Sequence, residues 1–206
     1  MNKLQLAEWR HRVAELYAEV RAVPFGERES AWHHWRKTRD LLFWTHPLTP
    51  LNAEQMVSAS AVQYFPYDPN WRKIGRIDHN TPNETVIIEL PEGNLRMTRI
   101  AHVRFEHAEQ TQTLGLYWIE GYGGGLFLPF GDQSNNKQTY GGGRYLYDGI
   151  KGADLGRIGD DIILDFNFSY NPSCGYNHQW VCPLAPFENR LQIAVEAGEL
   201  DPQLYF

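Results

Sequence analysis

Two cysteines, Cys174 and Cys182, are all that 206 residues contain. So small a number makes a structural disulfide an alternative and not the default, and a reducing compartment keeps both as thiols unless they serve redox chemistry or a metal. Long apolar runs are missing too. No stretch approaches the ~20 apolar residues of a membrane-spanning helix, and Glu8, Arg10, His11, Arg12 and Glu15 stand where a signal peptide needs an apolar segment. The expectation is a cytoplasmic protein with no membrane partner. Positive charge is in deficit, with 19 Lys and Arg against 25 Asp and Glu and a net charge of −6. Nucleic-acid affinity rests on clustered Lys and Arg that release counterions, so no nucleic-acid partner is expected. Nucleotide loops are absent as well. The run Gly141-Gly142-Gly143-Arg144 lacks the Gly-Lys-Ser/Thr ending of a phosphate loop, and the glycines at 121–125 lack dinucleotide-fold spacing. Ser134 and Ser173 lie outside a Gly-x-Ser-x-Gly elbow, which weakens a serine-hydrolase reading. No cofactor is expected.

What the chain does have is aromatic side chains: seven Trp, eleven Tyr and ten Phe, most of them expected in a core. The length suits one domain over 1–206, with a helical arm at 1–46 and a β-rich body at 60–199. Trp9, Val13, Leu16 and Val20 recur every three to four residues, and Trp32, Trp35, Arg39 and Leu42 repeat the rhythm after the Pro24-Phe25-Gly26 break. These spacings predict two helices. The basic residues Arg10, Arg12, Arg36, Lys37 and Arg39 sit among acidic neighbours and read as a solvated helix face. His33 and His34 are adjacent, so they point to different faces and cannot form an i, i+4 metal pair.

Pro47 and Pro50 stop the second helix, and Asn52 is placed to cap a short turn through Gln55. Further on the period changes to two. Val86, Ile88 and Leu90, then Leu95, Met97, Arg99, Ala101, Val103 and Phe105, alternate against mostly polar neighbours, with Pro91-Glu92-Gly93-Asn94 as hairpin turn chemistry. Runs at 111–120, 126–130, 162–166 and 191–195 add strand candidates, giving about eight strands. The fold class is α+β, mostly antiparallel β, as a small barrel or strongly curved sheet with N-terminal helices.

Three later segments place specific polar groups in apolar or glycine-rich settings. They are Phe127-Leu128-Pro129-Phe130-Gly131-Asp132, Thr139-Tyr140-Gly141-Gly142-Gly143-Arg144-Tyr145, and Asp165-Phe166-Asn167-Phe168-Ser169-Tyr170-Asn171-Pro172-Ser173-Cys174. With Trp180-Val181-Cys182-Pro183, Glu188-Asn189-Arg190-Leu191 and Ala197-Gly198-Glu199, they resemble the signature of the family called domain of unknown function 1684. The resemblance spans about residues 35–199, departs at Asn135, Asn136 and Gly175, and implies no established activity.

Read chemically, the glycines before Arg144 let the backbone turn and set a five-donor guanidinium into an enclosed space. Its acceptor is Asp132 or Asp165, or else it is free to hold a substrate carboxylate or phosphate. By the two-residue period Asp165, Asn167 and Ser169 share one strand face, with Phe166 and Phe168 on the other. The candidate site is a mouth binding a small polar or anionic molecule, with Asp132, Tyr140, Arg144, Tyr145, Asp165, Asn167, Tyr170 and Asn171 as its ligand-binding residues. An enzymatic alternative, hydrolase or isomerase, uses Asp165 or Asp132 as general base and Arg144 or Asn167 as charge stabiliser, with Cys174 as a possible nucleophile. Cys174, His178 and Cys182 are one ligand short of a structural zinc site. A third reading makes the polar signature structural and assigns function to helix contacts of Trp32 and Trp35.

Overall fold

The computed structural model describes residues 2–58, 61–90 and 93–204. Helix α1 (Lys3–Ala22) begins at Asn2, whose side chain accepts from the Leu4 N–H at 3.0 Å. The Phe25–Glu27 turn leads into α2 (Arg28–Thr45), and Arg28 reaches back to cap the Val20 carbonyl at 2.8 Å. Asn52 and Gln55 exchange side-chain-to-backbone bonds of 2.9 and 2.8 Å, a reciprocal cap that starts α3 (Ala53–Ser58). The inner face of α2 carries Trp32, Trp35, Arg39, Leu42 and Phe43, all buried.

Among the described residues eight strands follow: β1 (Arg72–Asp78), β2 (Glu84–Leu90), β3 (Gly93–His107), β4 (Gln110–Ile119), β5 (Gly125–Phe130), β6 (Arg144–Asp148), β7 (Arg157–Ile158) and β8 (Asp161–Asp165). Their order is β6-β5-β4-β3-β1-β8-β7, with β2 pairing one end of β3, and every pairing is antiparallel. The ladder is open, with β6 and β7 at its ends, so the curved-sheet alternative holds and continuous barrel pairing does not. The sheet nevertheless curls back on itself. Tyr145 in β6 and Tyr170, just beyond β8, exchange backbone hydrogen bonds of 2.8 and 3.2 Å. Of the expected hairpin turn between β2 and β3, Pro91 and Glu92 lie outside the described residues.

Two strand expectations are corrected. Residues 191–195 form no strand; they run irregularly beside 131–133, joined by Leu191 N–H to Gly131 O at 2.8 Å and Gln133 N–H to Ile193 O at 3.0 Å. The alternation expected through Ser169 ends at Asp165, whose side chain caps a 3-10 turn at Phe166–Phe168. Polar and aromatic residues of that segment are therefore all buried, and it has no wet face. The core runs from α2 to the sheet, with Trp35 edge-on to Tyr17, Tyr64 and Phe168 at ring separations of 6.4, 5.6 and 5.3 Å. Trp32 and Trp35 are inside that core, which overturns their reading as contact residues for a partner. Among the described residues no helix is long and apolar enough to cross a membrane.

Candidate functional site

Arg39, expected on a solvated face, is buried and anchors a polar cluster in the molecule's interior. The α2 stripe turns it inward, where its guanidinium lies 4.9 Å from the Trp35 ring, 5.1 Å from Phe43 and 4.8 Å from Tyr170. Burial alone would lower its pKa, but Glu199 opposite it, with Tyr64 next, drives it well above the ordinary value. Glu199 is wholly buried and accepts from Arg39, from the Tyr64 hydroxyl at 3.2 Å, from the Tyr176 hydroxyl at 2.7 Å and from the Asn171 N–H at 2.6 Å. Gly198 allows this placement. It has φ of +79°, and a Cβ there would lie 2.0 Å from the Ser169 hydroxyl oxygen.

Beside this cluster lies a narrow cleft with a cavity volume of about 50 Å³. Trp9, Val13 and Tyr17 of α1 and Arg39 and Phe43 of α2 form one wall, and Tyr170, Asn171, Ser173 and Tyr176 form the other. Lys151 stands at its edge, half-exposed and 3.2 Å from Asp148, whose attraction outweighs burial and raises the ammonium's pKa. The Asn171 carboxamide is held by its Nδ2 donating to the Leu200 carbonyl at 2.7 Å, while its buried Oδ1 has no hydrogen-bond partner among the described residues. A buried acceptor left open costs roughly 1–3 kcal/mol.

The structure divides the residues expected to share one mouth. Tyr170 and Asn171 line the cleft. Arg144 is fully buried and bonds to Asp132 at 2.8 Å and to the carbonyls of Val195, Ala197 and Glu199. Asp132 also accepts from the Ser134 N–H at 2.7 Å and the Val195 N–H at 3.2 Å, so this pair is closed upon itself. Asp165 is not Arg144's partner. It lies with Asn167 and 4.0 Å from Arg72, and Asn167 clamps Asp68 through both its backbone N–H at 3.0 Å and its carbonyl at 2.8 Å. Tyr140 and Tyr145 border the cysteines, with the Tyr140 hydroxyl 3.6 Å from the Cys174 sulfur and the Tyr145 hydroxyl on the Pro183 carbonyl. His178 is exposed, and no three His, Cys, Asp or Glu side chains converge as metal ligands among the described residues.

A family description matches residues 59–200: protein of unknown function (DUF1684). The chain belongs to this family. The solution NMR structure of the uncharacterized protein from gene locus rrnAC0354 of Haloarcula marismortui offers a structural likeness, with TM-score 0.61 and 29% identity over 85% of this chain and 95% of that one. No curated protein matches the chain. The family match begins at 59, so the resemblance upstream of that residue, including Arg39, lies outside it. Much of this chain's DUF1684 signature fastens strands. Asn189 accepts from the Gly115 N–H at 2.7 Å and donates to the carbonyls of Gly115 at 2.9 Å and Pro129 at 2.7 Å, tying β4 to β5.

The spacing at Asp165 drew attention to a real electrostatic feature. Burial pushes its carboxyl pKa up to about 6, against hydrogen bonds from Asn167 and the attraction of Arg72 and Arg28 that lower it. The folded state therefore holds a proton between pH ~3.9 and ~6 that the unfolded chain releases. The stability this provides is full at low pH and is lost as pH rises through the folded value. Asp165→Asn keeps an acceptor for Asn167 without the charge, so at pH 7.5 it is expected to stabilise by about 2 kcal/mol, with no gain at pH 3.5. Urea unfolding at the two pH values measures this, and equal effects at both would contradict it.

Proposed function

We propose that this DUF1684 protein binds a small polar or anionic molecule in the cleft between its helical arm and residues 170–176. The open Asn171 carboxamide oxygen carries the reading: a buried acceptor in an existing cleft fits a ligand that brings an N–H or O–H. Lys151 at the edge suits a carboxylate or phosphate, and Trp9 and Phe43 suit a short apolar portion. Arg39 acts through Glu199, fixing the wall from which Asn171 projects.

The chemistry favours amino acids or hydroxy acids over bare anions, because the cleft offers an open acceptor and, at its edge, the Lys151 ammonium, which a ligand carboxylate would share with Asp148. The test is thermal unfolding against a panel of amino and hydroxy acids, alongside native mass spectrometry of freshly purified protein. At least one compound is expected to raise the Tm of the wild-type chain by several degrees, with the rise reduced about tenfold in concentration dependence by Lys151→Gln. No shift across the panel, together with a native mass equal to the bare chain, would sink the reading.

The hydrolase or isomerase alternative draws on the raised pKa of Asp165, a value suited to a general base. Its carboxylate is turned onto Asn167 and Arg72, outside the cleft, so the binding reading has the better support.

A further inference from the structure

Where α2 ends, His46 is pinned at three atoms. Its backbone N–H closes the helix on the Leu42 carbonyl at 3.0 Å, its carbonyl accepts from the Thr49 N–H at 3.0 Å, and its Nδ1 accepts from the Leu48 N–H at 3.1 Å. The last of these fixes the tautomer. A ring nitrogen that accepts carries no proton, so the neutral imidazole bears its hydrogen on Nε2 and presents a donor there. His46 is only 7% exposed, and its Nε2 is buried with no hydrogen-bond partner among the described residues. Trp9 meets the ring edge-on at 5.1 Å, and an indole has no lone pair to offer it.

The same ring lines a cavity of about 180 Å³ between α1 and α2, many times the ~10–15 Å³ that one water requires. Leu41, Leu42 and Pro47 give it apolar walls. Its two charged lining residues, Glu8 and Arg12, are half-exposed and paired with each other at 3.3 Å, so they bring no net charge. The Thr45 hydroxyl is already committed as a donor to the Leu41 carbonyl at 2.7 Å. Because the 18-residue α2 ends at this cavity, the negative pole of its dipole disfavours an anion there. A metal on Nε2 is disfavoured too, since it would need that nitrogen bare and the proton on Nδ1, where the Leu48 N–H already donates.

We propose that this cavity binds a small neutral molecule that joins an acceptor oxygen, that of an alcohol or an amide, to a compact apolar portion. The His46 Nε2–H donates to the oxygen, which gives a buried donor the partner that folding withholds. Leu41, Leu42 and Pro47 cover the apolar portion. The cavity shares no lining residue with the cleft beside Asn171, and its occupant does not depend on a ligand there.

The test follows the His46 ring of the full chain by long-range proton–nitrogen NMR while cyclohexanol, N-methylacetamide and, as the anionic comparison, acetate are added. Before any addition the spectrum is expected to show a bare Nδ1 and a protonated Nε2. At least one of the two neutral probes should then shift the Nε2 signals saturably at millimolar concentration, with acetate at least tenfold weaker. His46→Asn offers the Leu48 N–H an oxygen near the Nδ1 position but removes the Nε2 donor, and should weaken binding about tenfold, read on the Thr45 and Leu48 amides. Leu41→Trp, at a position 58% exposed, fills the cavity and should abolish the shift while the tautomer stays the same. A proton on Nδ1, no saturable shift with either neutral probe, acetate binding as tightly as they do, or binding unchanged in either variant would overturn the proposal.

Discussion

Glu199→Ala is expected to cost about 3–5 kcal/mol in guanidinium unfolding, a large share of the stability of any domain of this size. The carboxylate has no access to water and serves four donors, those of Arg39, Tyr64, Asn171 and Tyr176. Removing it leaves a guanidinium at 8% exposure with its charge uncompensated, and that loss exceeds the loss of the hydrogen bonds themselves. Two further variants separate the parts. Glu199→Gln retains an acceptor but no charge and should cost about 2 kcal/mol, whereas Glu199→Gln with Arg39→Met removes both charges and should cost less than the sum of the single changes. If Glu199→Ala lost under 1 kcal/mol, the cluster would be a surface-like pair of little value, and Asn171 would lose its support as a fixed wall of the cleft.

The helices were readable because burial on one side writes a three-to-four repeat, and Trp32, Trp35 and Leu42 all ended inside. The same stripe contained Arg39, whose inward position was visible in its spacing and obscured by its charge. A buried arginine and a solvated one look alike in sequence when the partner, Glu199, is 160 residues away. Strand β3 was legible for the corresponding reason, since Met97, Ala101, Val103 and Phe105 bury one face, and its partner β2 alternates half-buried with exposed residues. Strand β1 left no such trace. Its Gly75 stands where any Cβ would come within 2.3 Å of Val103 and 2.8 Å of Leu164, so the core-facing position carries no apolar side chain. Strand β6 is buried at all five residues, and a strand covered on both faces has no period of two to detect. Its arginine was conspicuous as chemistry before the strand was conspicuous as structure. Lys151, at the cleft, sits in a turn with no motif around it, and the nearest signal was Asp148 three residues earlier.

Arg144→Met is the second change with a large expected effect, again about 3–5 kcal/mol, and it distinguishes a fastener from a ligand-binding group. The guanidinium joins Asp132 to the carbonyls of Val195, Ala197 and Glu199, so one side chain ties β6 to the final irregular segment that brings Glu199 into place. Gly143 makes the approach possible: φ is +86°, and a Cβ there would lie 2.5 Å from the Phe130 carbonyl oxygen. Met fills much of the volume but offers no donor, leaving three carbonyls and the Asp132 carboxylate short of a partner. Arg144→Lys keeps the charge on a single ammonium that cannot span the same acceptors, and should cost about 2 kcal/mol. Asp132→Asn combined with Arg144→Met removes both charges, and the pair should again cost less than its parts added together. The readout that decides the role is binding. A fastener loses stability while the affinity of any cleft ligand at 15 °C, where the variant remains folded, stays within about twofold; an anion-holding Arg144 would instead lose affinity by about tenfold or more, even in the Lys variant. Closure of Arg144 on Asp132, with zero exposure of both side chains, favours the first outcome.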